Sequence, residues 1–455
     1  MTSKITLTIT AGNLKGQEFT FESRTTCIIG RAKDCYPKIP DDDKHRTISR
    51  YHCLLDINPP DIRVRDFGSK NGTFVNGEKI GQREAHQTPE EAANIQFPEF
   101  DLQGGDEFTL SDTSFRVGIA LDPEIAKTIQ SEKPPTIPPN QPQLWEMLKA
   151  FLLKAVGNDK NIGVLGDYVL LKELGKGGFS LVYLAEHKRT KEQIALKVML
   201  PKVAANQRAV NWFLREVENM KYLKHPHVVS LKESGYADET FFFTMEYCNG
   251  GSVVDLMAKR GVGTLPVDEA VAIILQVLDG LSYTHNAEIP QVKLADGSFG
   301  KGRGLIHRDL KPGNIFLANV GGKQVAKVGD YGLAKAFDLA GLSGQTLTGS
   351  AVGTLGFMPR QQVIDFKYAK PEVDVWAAAA CLYAMLTGCL PRNLQGQDPF
   401  LAVLQCDAVP ICDRTSTIPK PLAKVIDLAL IDNPEIYYKN AVDFKQALLN
   451  TISQN

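Results

Sequence analysis

The sequence predicts a multidomain chain in which an all-β sandwich or barrel is followed by an α+β unit. Residues 1 to about 120 form short alternating segments broken by Gly, Asn and Asp, and helical periodicity is almost absent there. From Tyr168 onward, predicted strands come first and predicted helices afterwards, which is the order of an α+β unit. A length of 455 residues, at roughly 150 residues per domain, fits two or three such units.

Composition and charge exclude several classes of protein. The 51 basic and 52 acidic side chains give a net charge of -1, which is not the composition of a nucleic-acid-binding protein. Hydrophobic residues make up 43% and charged residues 23% of the chain, so it is not intrinsically disordered as a whole. The longest apolar run, residues 375–386, is too short to cross a bilayer, and no secretory signal is visible. Because the eight cysteines include no C-x-x-C pair, we expect reduced thiols in a cytoplasmic protein.

Each part of the chain has its own pattern. Apolar and polar residues alternate over residues 5–9, and Asn76-Gly77 predicts a two-residue hairpin turn. Residues 134–142 are rich in proline and predict an extended spacer, while apolar spacing over 143–156 predicts an amphipathic helix that packs on a neighbouring domain. We therefore expect domains at 1–121 and 167–455, joined by a linker at 122–166.

The α+β unit is predicted in more detail from its local periodicity. The predicted strands are residues 168–174, 181–186, 194–199 and 241–247, and the predicted helices are residues 267–285, 373–386, 422–430 and 441–452.

Between the first two of these strands lies a glycine-rich segment, Gly175-Lys176-Gly177-Gly178. Glycines let the backbone approach a polyphosphate closely enough for its N–H groups to bond the oxygens, although such a segment is also typical of a simple turn. Lys197 lies inside an apolar strand, where its ammonium group needs a partner, and Glu216 on the next predicted helix is a candidate.

Two further motifs follow in the chain: His307-Arg308-Asp309-Leu310-Lys311-Pro312-Gly313-Asn314 and Asp330-Tyr331-Gly332. Phosphoryl transfer needs positioning, metal ions and charge neutralisation rather than covalent chemistry. A lysine on the phosphates, two metal-binding side chains and a carboxylate near the attacking hydroxyl supply these requirements.

With these motifs in this order, residues 168–452 resemble a eukaryotic-type serine/threonine protein kinase catalytic domain, which has a bilobal α+β fold. The resemblance implies that Lys197 holds the ATP phosphates while paired to Glu216, that Asp309 orients the substrate hydroxyl, and that Lys311 neutralises the γ-phosphate. Asn314 and Asp330 would bind Mg²⁺, with Mn²⁺ as an alternative. The positions that it implies for ATP binding are Gly175, Lys176, Gly177, Gly178, Val182, Ala195, Lys197, Glu246 and Cys248, with Met245 as gatekeeper.

One departure from the kinase pattern concerns the segment beside which protein substrates dock. Where the family reads Ala-Pro-Glu, this chain has Pro359-Arg360-Gln361, and Tyr437 occupies the position of the arginine that pairs with that glutamate. Since both partners are replaced together, we expect the fold to tolerate the change.

The N-terminal region carries Gly30-Arg31, Ser49-Arg50 and Asn71-Gly72 on predicted loops. Each pair is common in turns, but together they place two guanidinium groups, a hydroxyl and an amide near one end of a β domain, which suits a phosphate dianion. With these motifs the region resembles a forkhead-associated (FHA) sandwich. The resemblance implies that Arg31, Ser49 and Arg50 contact phosphothreonine and that Asn71 bonds the peptide backbone, while His52 supports the loop.

These resemblances predict an ATP-dependent serine/threonine kinase that acts on protein substrates and recognises phosphothreonine-containing proteins, without a nucleic-acid partner or a membrane span. The alternative is a non-catalytic, phosphopeptide-binding scaffold with a pseudokinase domain. Thr346 and Thr348 in the activation segment are candidate phosphorylation sites, and could themselves be ligands of the FHA region. The long interval of residues 287–302 predicts either a solvated hairpin or a docking element.

Overall fold

The computed structural model describes residues 4–120, 167–331 and 355–452 apart from short internal gaps. The gaps are residues 23–24, 34, 60, 85, 88–96, 99, 177–179, 200–216, 218–219, 238–239, 262, 294–298, 365–368 and 395–398. The predicted spacer and linker helix therefore lie outside the described residues.

In the described part of the N-terminal region, ten strands form two antiparallel sheets. One sheet has the order β2-β1-β10-β9-β6-β7 and the other the order β3-β4-β5-β8. Alternation along β1 places Ile5, Leu7 and Ile9 in the core between the sheets, as the sequence pattern requires. The strands are β1 (Lys4–Ala11), β2 (Glu18–Phe21), β3 (Thr25–Ile29), β4 (Cys53–Asn58), β5 (Asp61–Asp66), β6 (Thr73–Val75), β7 (Glu78–Gly81), β8 (Phe100–Leu102), β9 (Glu107–Leu110) and β10 (Thr113–Ala120).

The predicted hairpin turn at Asn76-Gly77 is confirmed. The two residues connect β6 to β7 and have φ angles of 49° and 86°. Both angles lie in the left-handed region that a two-residue hairpin turn of this kind requires, and Asn and Gly adopt it at low cost.

A five-stranded antiparallel sheet of order β11-β12-β13-β15-β14 forms the small lobe of the second region. The predicted strands are confirmed to within two residues, and the sequence analysis missed β14. Lys197 lies on β13, a central strand that pairs with both β12 and β15. The strands are β11 (Tyr168–Lys176), β12 (Ser180–His187), β13 (Gln193–Met199), β14 (Leu231–Ala237) and β15 (Thr240–Glu246).

The large lobe is helical and is built around one buried helix. This helix, α4, has every residue from Val373 to Leu386 buried, which explains the long apolar run as protein core. Among the described residues, no helix combines the length and apolar composition that crossing a membrane requires. The helices are α1 (Val253–Lys259), α2 (Val267–Asn286), α3 (Arg360–Ile364), α4 (Glu372–Thr387), α5 (Pro399–Gln405), α6 (Ile411–Arg414), α7 (Lys420–Ala429) and α8 (Ala441–Ile452).

Two hairpins flank the loop that carries the predicted catalytic residues. Strands β16 (Glu288–Lys293) and β17 (Phe299–Arg303) pair antiparallel, so the long interval before this loop contains a hairpin, as one of its two interpretations predicts. After the loop, β18 (Ile315–Val320) and β19 (Lys323–Val328) form the second hairpin, which ends just before Asp330.

A third apolar cluster joins the sandwich to the large lobe. On β3 and β4, Cys27, Ile29, Cys53 and Leu55 point into the sandwich core, whereas the intervening Ile28 and Leu54 point to the opposite face of the sheet. There they pack with side chains of the large lobe, and β3 contacts α3 directly. The cluster comprises Ile28, Ala32, Cys35, Leu54 and Phe67 from the sandwich, and Leu355, Met358, Val363, Leu394, Ala402, Val403 and Leu404 from the large lobe, with Tyr51 and Leu390 packed against it.

The segment Pro359-Arg360-Gln361 carries an ion pair that the sequence analysis did not anticipate. Arg360 donates to the carboxylate of Asp432 from both its backbone N–H (2.8 Å) and its guanidinium group (2.5 Å). Arg392 donates to the same carboxylate from a second side, and all three side chains are buried. Gln361 adds a bond from Nε2 to the Asp432 carbonyl oxygen (2.6 Å). The family's glutamate–arginine pair is absent, as the sequence predicts, and a buried ion pair between other residues, Arg360 and Asp432, anchors this segment instead.

We expect Asp432→Asn to lower the free energy of unfolding by about 3 kcal/mol, because it leaves two buried guanidinium groups without a carboxylate. Denaturant unfolding of the full chain measures the change. The matched control is Asp407→Asn, since Asp407 also bonds Arg360 but its side chain is 81% exposed. The control should change the free energy by no more than about 0.5 kcal/mol. Equal destabilisation by the two variants would contradict the prediction.

Candidate active site

The loop from His307 to Asn314 is held in place by one carboxylate, that of Asp374 on α4. The carboxylate accepts hydrogen bonds from the backbone N–H groups of His307 (2.7 Å) and Arg308 (2.8 Å). It also accepts a bond from Nε2 of His285, at the end of α2 (2.7 Å). Arg308 has a φ of 64°, an uncommon angle for a residue with a side chain, and two adjacent N–H groups bonded to one carboxylate stabilise this conformation.

Asp374 is ionised in this environment. Burial by itself raises the pKa of the carboxyl group, but the hydrogen bond and positive charge of His285, with further help from His307, lower it below its usual range. The sequence analysis missed Asp374. The available signal was a carboxylate inside an otherwise apolar helix, a costly placement unless the group is paired.

Three predicted site residues of this loop contact one another: Asp309, Lys311 and Asn314. The ammonium group of Lys311 lies 3.1 Å from both carboxylate oxygens of Asp309. The amide Nδ2 of Asn314 donates to the Asp309 carbonyl oxygen (2.7 Å) and to its Oδ2 (3.1 Å). The side chains of Asp309 and Lys311 are each about 30% exposed, so they are positioned by protein contacts and still accessible to a substrate.

Lys197 reaches across from the small lobe to Asp330. Its ammonium group lies 2.8 Å from Oδ2 of Asp330, and both side chains are mostly buried. Burial raises the pKa of Asp330, but the charge and hydrogen bond of Lys197, together with His307 and Lys311, lower it below its usual range, so the carboxylate is ionised. Glu216, the predicted partner of Lys197, lies outside the described residues, as do Thr346 and Thr348.

The donor set suits a hard divalent cation. The carboxylate of Asp330 and the amide oxygen of Asn314 are the kind of oxygen ligands that Mg²⁺ prefers, with phosphate oxygens completing its coordination. Among the described residues no cluster of three or more His, Cys, Asp or Glu side chains could hold a metal ion alone. An ion shared between these two residues and a bound phosphate is compatible with that finding.

The described residues among the predicted ATP positions lie on β11, β12, β13 and β15 and just after β15. Ala195 pairs with Met245 across β13 and β15, and both side chains are buried, whereas Val182 is half-buried. Gly175 and Lys176 end β11, while Gly177 and Gly178 lie outside the described residues.

The two predicted hinge residues have side chains committed to other contacts. The carboxylate of Glu246 bonds Lys327 of β19 (2.9 Å), and its backbone N–H donates to the Ser230 carbonyl oxygen (2.9 Å). Burial raises the pKa of the Cys248 thiol to about 12, so it stays protonated and unreactive.

The four predicted phosphopeptide residues lie on adjacent loops of the sandwich. Nε of Arg31 donates to the Ile48 carbonyl oxygen (2.6 Å), and its guanidinium group also bonds Asp41. The backbone N–H of Arg31 donates to the carbonyl oxygen of Ser49 (3.3 Å), next to Arg50.

The Asn71 loop is tied to the same place. The amide of Asn71 donates to the Thr47 carbonyl oxygen (2.6 Å), and the Ser49 hydroxyl accepts from the backbone N–H of Lys70 (3.0 Å). The residues that the sequence grouped by resemblance are thus linked by hydrogen bonds.

His52 supports these loops from beneath, as predicted. It is fully buried, accepts from the backbone N–H of Ser49 at Nδ1 (3.1 Å), and donates from Nε2 to the Gly72 carbonyl oxygen (3.1 Å). Burial lowers the pKa of the ring, so the neutral form that this pattern requires is favoured.

Comparison with known families identifies two domains in the chain. The family model described as protein kinase domain matches residues 168–449, which is more than half of the chain. The chain belongs to the protein kinase family. A second model, described as FHA domain, matches residues 27–97, which contain all four predicted phosphopeptide residues. The fold class is therefore an FHA sandwich followed by a bilobal kinase fold.

The named relatives are protein kinases. The chain is 32% identical over 285 residues to "Serine/threonine-protein kinase PknF" of Mycobacterium tuberculosis, covering 62% of this chain and 55% of the relative. It is also 32% identical over 241 residues to "Carbon catabolite-derepressing protein kinase" of Candida albicans, covering 53% of this chain and 34% of the relative. The chain thus spans about a third to just over half of the length of these relatives.

Among solved structures, the kinase domain of Mycobacterium tuberculosis PknI is 22% identical with a TM-score of 0.46. The match covers 63% of this chain and 96% of that one.

We expect Asp374→Asn to lower the free energy of unfolding by about 3 kcal/mol. Either orientation of the new amide places its NH₂ group against at least one of the three N–H donors. Denaturant unfolding measures the loss. Asp268→Asn, at an exposed position in the first turn of α2, is the control and should change stability little. An unchanged unfolding midpoint for Asp374→Asn would show that the carboxylate does not hold the loop.

Proposed function

We propose that the chain is an ATP- and Mg²⁺-dependent protein serine/threonine kinase whose FHA module binds phosphothreonine peptides. The observation that carries the proposal is the assembly of Lys197, Asp309, Asn314 and Asp330 around one cleft, with the contacts described above. A pseudokinase scaffold needs none of these contacts, and the altered Pro359-Arg360-Gln361 segment, the sequence feature in its favour, carries a substitute ion pair.

In this proposal each of these residues has its own role in phosphoryl transfer. Asp309 accepts the hydrogen bond of the substrate hydroxyl and orients it towards the γ-phosphate, and Lys311 neutralises the charge that develops there. Lys197 holds the α- and β-phosphates while Glu216 orients its ammonium group. The divalent ion, Mg²⁺ or Mn²⁺, supplies charge neutralisation between the phosphates, and Asn314 and Asp330 would hold it.

The FHA module contributes binding rather than chemistry. Arg31, Ser49 and Arg50 offer two guanidinium groups and a hydroxyl to one phosphate, and Asn71 offers an amide to the peptide backbone. We further propose functional domains at 1–121 and 167–455 joined by the linker 122–166, and a cytoplasmic location.

We expect Asp309→Asn and Asp330→Asn to keep the fold but to reduce phosphate transfer by roughly 10³-fold or more, because each removes a charge that acts in the transition state. Transfer of label from ATP to a generic protein substrate, with Mg²⁺ present, measures the loss. Asp413→Asn, at an exposed position in α6, is the control and should retain wild-type activity. Wild-type turnover in either active-site variant would refute the assignment, and ATP binding without transfer by the wild type would favour the scaffold.

We also propose that Thr346 or Thr348 is autophosphorylated and is then recognised by the FHA module of a second molecule. The competing possibility is that this phosphate only activates the kinase, while the module binds a different protein. Both threonines precede the segment at residues 355–364, and an added phosphate supplies the dianion that the arginines of the module suit.

We expect Arg31→Ala to abolish phosphate-dependent association while leaving autophosphorylation intact. Mass spectrometry locates the phosphate, and light scattering before and after phosphatase treatment measures association. Arg46→Ala is the control, because Arg46 is 77% exposed and pairs with a residue of its own loop. Phosphothreonine with equal association of wild type and Arg31→Ala would decide for the competing possibility.

A further inference from the structure

Part of the outer face of the β3-β4-β5-β8 sheet is an apolar patch, which an isolated sandwich would expose to solvent. Ile28 and Leu54 point away from the sandwich core, yet they are only 6% and 5% exposed because they contact the large lobe. Phe67 extends the same face, and the guanidinium group of Arg65 stacks 4.9 Å from its ring. Burial of these side chains stabilises the contact between the two domains.

The side of the large lobe that they cover is the one expected to receive protein substrates. Leu355 and Met358 belong to the segment that leads into Pro359-Arg360-Gln361, and Val363 lies on α3. Gln362 of the same helix donates from Nε2 to the carbonyl oxygen of Arg308 (2.6 Å), next to the catalytic Asp309. The sandwich therefore sits on a surface that is bonded directly to the catalytic loop.

The contact also reaches the phosphothreonine loops. The carbonyl oxygen of Arg50 accepts bonds from the backbone N–H of Ala32 (2.9 Å) and from the Sγ of Cys35 (3.3 Å). Ala32 and Cys35 are themselves buried against the large lobe. The loop that carries Arg50 is thus supported by residues of the interface between the domains.

From these contacts we propose that the FHA sandwich docks in cis on the substrate face of its own kinase domain and restrains the phosphorylation of protein substrates. The inference rests on the proposed kinase function. The Lys197–Asp330 contact of the proposed nucleotide site joins the two lobes and involves no residue of the docked cluster, so we expect docking to block bulky substrates and to leave nucleotide turnover unaffected. Separation of the domains removes the restraint.

The test is Ile28→Asp in the full chain, because a carboxylate in this apolar cluster opposes docking while Ile28 contributes nothing to the sandwich core. Thr20→Asp adds the same charge at an exposed position of the other sheet and is the control. Leu394→Asp disrupts the contact from the kinase side, which keeps the test valid if Ile28→Asp misfolds. Small-angle X-ray scattering reports domain separation, and phosphorylation of a generic protein substrate and basal ATP hydrolysis are measured in parallel.

We expect Ile28→Asp and Leu394→Asp to increase the radius of gyration and to raise kcat/KM for the protein substrate by roughly fivefold or more. Basal ATP hydrolysis should be unchanged, and Thr20→Asp should match the wild type in every measurement. An unchanged radius of gyration in both variants, or separated domains with unchanged phosphorylation, would overturn the restraint. Absence of phosphorylation by every protein, the separated variants included, would instead refute the kinase function itself.

Discussion

The active site depends on one buried carboxylate. Asp374 lies on the helix at the centre of the large lobe and bonds two consecutive backbone N–H groups of the catalytic loop and a histidine from another helix. The ionised carboxylate is stable when buried because it accepts all three hydrogen bonds. The loop in turn keeps the uncommon φ angle of Arg308 because the carboxylate bonds its backbone. The position of Asp309 follows from this mutual requirement.

The segment Pro359-Arg360-Gln361 shows that a different buried ion pair can anchor a segment from which the family's own ion pair is missing. The family's glutamate–arginine pair is replaced by Arg360 and Asp432, with Arg392 as a second cation. Burial lowers the pKa of Arg392, and the charge and hydrogen bond of the Asp432 carboxylate oppose this shift. The departure from the motif therefore does not argue for a pseudokinase.

The contact between the domains connects the two functions proposed for the chain. One apolar face of the FHA sandwich covers the segment beside the catalytic loop, and the residues behind that face support the Arg50 loop. Binding of a phosphothreonine ligand and docking on the kinase domain thus involve neighbouring parts of the same loops. A ligand that binds one arrangement of these loops more tightly than the other shifts the equilibrium between docked and separated domains by the ratio of its two affinities.

The motifs alone determined the family, the order of the domains and a hairpin turn, because these features depend on local spacing and on side-chain chemistry. Three features needed the tertiary structure. Asp374 is 67 residues from His307, Arg360 is 72 residues from Asp432, and Ile28 meets helices more than 300 residues away. The apolar run Cys27-Ile28-Ile29 predicts a strand buried on both faces, but it carries no information about what covers the second face. Which distant groups neutralise a buried charge, or cover an apolar face, is decided only when the folded chain brings them together.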